Sequence, residues 1–158
     1  MKKTFFFIIL LVCIKTPAQT QTKTEIKKNL LEGLWLFRAQ RTSNALDKGF
    51  IPTTPGTFKM VASDGKFTNF SINGYNAMIG TDGYGHIESD SIYVESVQRS
   101  IIPSLVGKDN RLVFKLKNNN LYLKFFLEKN TIDQDVNIWI EEIWEKIEMP
   151  KANPYLIR

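Results

Sequence analysis

The pattern that most narrows the fold lies in residues 111–127. Leu112, Phe114 and Leu116 alternate with Val113, Lys115 and Lys117, and after Asn118-Asn119-Asn120 the alternation resumes with Leu121, Leu123, Phe125 and Leu127. Successive side chains of a strand point to opposite faces, so each run carries one apolar face. Asparagine tolerates the left-handed backbone of a tight turn, so the two runs are predicted to fold back on each other as an antiparallel hairpin. A second hairpin is predicted where Thr57-Phe58-Lys59-Met60-Val61 and the run from Lys66 to Ile72 flank Ser63-Asp64-Gly65. Asp-Gly supplies the two positive-φ residues that such a turn needs.

The rest of the chain reads in the same terms. A strand over residues 34–40 starts apolar and ends polar, and residues 42–56 form a long loop with Gly49, Pro52 and Pro55. Residues 73–85 are rich in glycine and read as turns around a short strand at 76–79. Residues 86–88 and 91–97 read as two strands or one bent strand, and residues 101–110 as a second long connection. The last segment is ambiguous. Val136, Ile140, Ile143, Trp144 and Ile147 fall at helical spacing, whereas as a strand the segment is apolar on both faces with Glu141-Glu142 as a bulge. Many short strands with turns between neighbours predict an all-β antiparallel barrel or sandwich, and successive hairpins favour an up-and-down barrel.

The N-terminus adds a compartment. Lys2-Lys3, an apolar run over residues 5–14 and the small residues Thr16 and Ala18 are the three parts of a cleavable export signal. The run is too short to span a membrane. The domain plan is a signal peptide over 1–18, a linker and helical turn over 19–32, a barrel over 33–149 and a tail over 150–158. The expected location is periplasmic or secreted, with lipid anchoring through Cys13 as the lesser alternative. Removing the leader takes away three lysines, so Lys+Arg falls from 21 to 18 against 16 Asp+Glu, and the net charge from +5 to +2. That balance argues against nucleic acid and against stable membrane insertion of the mature chain. The only cysteine leaves with the leader, which excludes disulfides and thiolate metal sites.

Several motifs together resemble a known family. Leu31-Glu32-Gly33-Leu34-Trp35, Phe58-Lys59-Met60 leading to Asp64-Gly65-Lys66-Phe67-Thr68-Asn69, Ser89-Asp90-Ser91-Ile92-Tyr93-Val94-Glu95 and Trp139-Ile140-Glu141-Glu142-Ile143-Trp144 are similar to the lipocalin-like (calycin-type) domain of unknown function in exported Bacteroidetes proteins, the family numbered 4488. The resemblance implies an antiparallel up-and-down lipocalin-like β-barrel with a short N-terminal helical turn. It implies that residues 138–147 are a bulged closing strand, against the periodicity, and that a cation such as Lys146 covers Trp35. One departure stands around Gly83-Tyr84-Gly85-His86-Ile87, where such domains place a Gly-x-aromatic and here the aromatic precedes the second glycine, so an inward ring is expected to be missing there.

No catalytic constellation stands out, and no cofactor is expected. The single histidine, His86, shares a predicted strand face with Glu88 and Asp90, a sparse set for a metal. No serine occupies a Gly-x-Ser-x-Gly turn. The protein is therefore expected to be non-enzymatic. A barrel of this size is filled by its own side chains or holds one small molecule. The candidate pocket lining is Trp35, Phe58, Met60 and Tyr93, together with Phe114, Phe125 and Trp139. Glu141 is the polar anchor for a small hydrophobic ligand. The alternative is an interaction module with a filled barrel and a protein or glycan partner. Oligomeric state is not readable.

Overall fold

The computed structural model describes residues 29–148. The predicted leader, most of the linker and the tail from 150 lie outside the described residues. Within them the chain forms β1 (Gly33–Thr42), β2 (Ile51–Pro52), β3 (Thr57–Val61), β4 (Lys66–Asn73), β5 (Asn76–Ile87), β6 (Ile92–Ser100), β7 (Asp109–Lys117), β8 (Asn120–Lys129) and β9 (Asp135–Ile147). From β3 onward each strand pairs antiparallel with the next, and β1 pairs with both β3 and β9. The result is a closed eight-stranded up-and-down barrel, with β2 attached to β1 outside the ring. Closure removes the exposed sheet edges that an open meander would leave.

Turn chemistry sets the register. Asn118 and Asn119 sit at φ 49° and 64°, and Gly65 at φ 85°, so both predicted hairpins close on residues that accept left-handed backbone. The N-terminal helical turn is a single hydrogen-bonded turn in which the Glu32 N–H donates to the Asn29 carbonyl at 2.9 Å. The loop predicted at 42–56 holds a 3-10 segment, Ser43–Lys48, as well as β2. A second 3-10 turn, Pro103–Leu105, lies at the same end of the barrel, between β6 and β7.

Two local readings change. Residues 76–87 are one continuous strand instead of turns around a short one, and its glycines are accommodated by irregular pairing at Gly80 and beside Gly83. Residues 135–147 form a strand, as the family resemblance implies, and the helical spacing of their apolar residues has no structural role. The segment completes the ladders of both β1 and β8, satisfying backbone groups that a helix there would leave unpaired. Its bulge falls at Val136–Asn137, opposite the single residue Glu128, and not at Glu141-Glu142.

The core fills the end of the barrel at which β1 begins and β9 finishes. Leu31, Trp35, Val61, Phe67, Tyr93, Leu112, Phe114, Leu121, Leu123 and Trp144 are among its buried members. The Trp35 indole N–H donates to the Leu31 carbonyl at 2.9 Å, and Lys146 Nζ stands 5.2 Å from the Trp35 ring, in the covering position that the resemblance implies. The ring expected to be missing at Gly83-Tyr84-Gly85 arrives from the neighbouring strand. Tyr84 is exposed, and the fully buried Tyr93 of β6 lies against Gly85, where a Cβ would come 1.9 Å from its hydroxyl oxygen.

Candidate functional site

Strand alternation and register bring charge into the barrel. Lys59 sits in β3 opposite Trp35 of β1 and Asn69 of β4, and so shares the inner face with both. Asn69 in turn pairs with Thr81 of β5. Glu95 alternates with Tyr93 and Val97 along β6, and Glu142 with Trp144 along β9, so both carboxylates point inward, Glu95 from three strands away on one side of β3 and Glu142 from two strands away on the other. Lys59 and Glu95 are 2% and 3% exposed, and Lys59 Nζ donates to Glu95 Oε1 at 2.5 Å. The same ammonium lies 5.1 Å from the Phe67 ring centre and 5.8 Å from that of Trp144. Two aromatic faces thus replace part of the hydration that it loses.

Glu142 is differently placed. The Trp144 indole N–H donates to Glu142 Oε2 at 2.9 Å, and among the described residues no lysine or arginine comes within ion-pair distance. Burial pushes its carboxyl above the usual carboxylate range. The Glu95 charge adds to that shift, while Lys59 and the Trp144 hydrogen bond oppose it. Lys59, Asn69, Thr81, Glu95, Asn110 and Glu142 line a partly open cavity of about 130 Å³, together with Ile102, Leu105, Leu112 and Phe125. It lies toward the end where residues 101–108 cross, and none of residues 42–56 lines it.

Two further polar atoms in the interior have no partner among the described residues, Asn69 Oδ1 and the Tyr93 hydroxyl. Burial, with the Glu95 charge, raises the Tyr93 phenol strongly, so it stays neutral. An unpaired buried hydroxyl costs roughly 1–3 kcal/mol. Tyr93→Phe is therefore expected to be neutral or to stabilise by about 1 kcal/mol in urea denaturation. A clear loss of stability would reveal a hydrogen bond to that hydroxyl.

Of the eight candidate residues, the structure turns four inward. Trp35, Tyr93 and Phe114 belong to the packed core, and Phe125 alone lines the cavity. The other four face away from the barrel interior, Trp139 and Glu141 lining a shallow outer pocket with Arg41 and Lys124. Phe58 stacks on Phe70 at 5.4 Å, and Met60 is exposed beside it, because Lys59 and Val61 take the inner positions of β3. Trp139 is exposed against Phe126, and Glu141 pairs with Arg41 at 2.5 Å and Lys124 at 3.4 Å. The inner face of β9 instead carries Glu142, so the inward carboxylate is the next residue along. The Arg41 guanidinium holds the Glu141 carboxyl below its usual range, as suits a surface ion pair. His86 is exposed, Glu88 pairs with Arg111, and among the described residues no three His, Cys, Asp or Glu converge as a metal site would require.

Fold and interior together define a closed antiparallel β-barrel with a packed core at one end and a small charged cavity toward the other. The family described as Domain of unknown function (DUF4488) matches residues 30–155, and the chain belongs to it. No curated protein matches the chain.

Proposed function

We propose that this is an exported, non-enzymatic binding barrel that holds one small ligand between Lys59, Glu95 and Glu142 and the 3-10 turn carrying Leu105. The observation that carries the reading is the cavity itself, about 130 Å³ of space beside buried charged groups in an otherwise packed barrel. An engineered apolar cavity of roughly 150 Å³ holds one benzene, so this space suits a ligand of about five or six heavy atoms. A lining that mixes charged with apolar groups favours an amphiphilic ligand over a wholly apolar one. Lys59 is held by Glu95 in the free protein, which suits a fixed recognition group better than a nucleophile. Export rests on the Lys2-Lys3, apolar and Ala18 pattern of the leader.

The Trp144 indole N–H, bonded to a carboxylate of the cavity wall, is a built-in reporter. Native mass spectrometry of protein from its own host should show a small retained adduct, or small amphiphiles should move the Trp144 indole resonance. Leu105→Trp, which fills the cavity, should abolish both effects. A protein that shows neither adduct nor resonance shift would refute the carrier reading. The second reading, an interaction module, is favoured by the outer face of β8 and β9. There Trp139 and Phe126 are 45% and 39% exposed, packed edge to face at 5.4 Å.

A further inference from the structure

We propose, on the reading that the interior cavity is a ligand site, that it takes a small organic cation, a primary amine with a short apolar body. Three charged groups face it: Lys59 from β3, Glu95 from β6 and Glu142 from β9. The other polar groups around it, Asn69 from β4, Thr81 from β5 and Asn110 from β7, are neutral, as is the Tyr93 phenol beside Glu95. Lys59 is committed to Glu95 at 2.5 Å, which leaves Glu142 as one carboxylate in excess, with only an indole N–H donating to it. Asn69 Oδ1 is a second acceptor facing the space without a partner among the described residues.

A desolvated carboxylate is relieved in two ways, by a proton or by a cation. Burial pushes the Glu142 carboxyl up, which favours the proton while the barrel is empty. An ammonium group entering the cavity takes the proton's place, so an alkylammonium and the Glu142 carboxylic acid become an ion pair and one proton leaves to solvent. Ile102, Leu105, Leu112 and Phe125 cover the alkyl part. A carboxylate ligand would bring a further negative charge to a cavity whose lining ammonium is already paired, whether or not Glu142 holds its proton. The charge count therefore selects against fatty acids and similar anions.

The experiment titrates the full chain with n-butylamine, n-butanol and n-butanoate, matched in size and different in charge. Binding is read on the Trp144 indole resonance and by calorimetry between pH 5 and pH 8. Butylamine should bind about tenfold or more tightly than butanol, and butanoate most weakly. Amine affinity should rise with pH while Glu142 still holds its proton, and calorimetry should detect the proton released. Glu142→Gln should bring butylamine down to the affinity of butanol and remove the pH dependence, with folding of the variant checked by circular dichroism. Butanoate binding as tightly as butylamine, or an unchanged amine affinity in Glu142→Gln, would overturn the assignment. Butanol or butanoate moving Trp144 with no preference for the amine would sink the ligand class and leave the site standing. No response to any of the three would sink both. The comparison of three ligands on the unmodified protein decides the matter even if the variant does not fold.

Discussion

Gly85→Ala should lower the unfolding free energy by about 3 kcal/mol, the upper end of what overpacking a core costs. The added methyl would lie 1.9 Å from the Tyr93 hydroxyl oxygen and 2.4 Å from the ring carbon that carries it. Tyr93 is fully buried, so its ring has no solvent to swing into. The cause can be separated from a general intolerance of β5 to alanine by making Tyr93→Leu in the same chain. The double variant should recover part of the loss, because the atoms that collide are gone, and the coupling between two touching residues appears as non-additivity in a double-mutant cycle. Additive losses would mean that Gly85 is required for its backbone and not for the room it leaves to Tyr93.

Lys59→Met should have an effect of similar or larger size, about 3–5 kcal/mol, since removing one partner of a buried pair strands the other charge. Glu95 would then face Glu142 across the interior with no cation between them. The loss should grow as pH rises, because burial already pushes the Glu142 carboxyl up and its charge has to be desolvated in the folded state once the proton leaves. The pH sign for Glu142 in the unmodified protein follows from its raised carboxyl. The folded state binds the proton more tightly than the unfolded chain does. Its contribution to stability is therefore present at acid pH and lost as pH rises through its folded-state titration. Lys59→Met combined with Glu95→Gln should cost much less than Lys59→Met alone. Equal costs would show that the lysine acts through packing against Phe67 and Trp144 and not through its charge.

The architecture was legible because barrel strands advertise themselves through alternation and turns. The hairpin at Asn118-Asn119 stands where sequence logic puts it and for the stated reason, while at the Asp64-Gly65 hairpin Gly65 alone takes the left-handed backbone and Asp64 does not. β9 was harder, because its apolar residues satisfy a helical spacing as well, and only the need to pair with both β1 and β8 decides the matter. The cavity was largely hidden. Phe58 and Met60 flank Lys59, so hydrophobicity alone assigns β3 to the wrong face. The register that places Lys59 opposite the buried Trp35 is a tertiary fact. A usable signal did exist in β9. Glu142 is two residues from Trp144, and once that tryptophan is taken as core, alternation carries Glu142 inward and Glu141 outward.

Ring closure has a consequence for how binding and assembly are linked. The β1–β9 seam joins parts of the chain as distant as Arg38 and Glu145, and Glu142 reaches the interior only with the last strand. A partly assembled meander holds Lys59 and Glu95 but lacks the third wall of the cavity. On the proposed reading, a ligand in that space binds the closed ring alone, and by mass action its binding energy would act as a latch on the seam. Occupancy of the cavity and integrity of the β1–β9 junction are then two readings of one equilibrium.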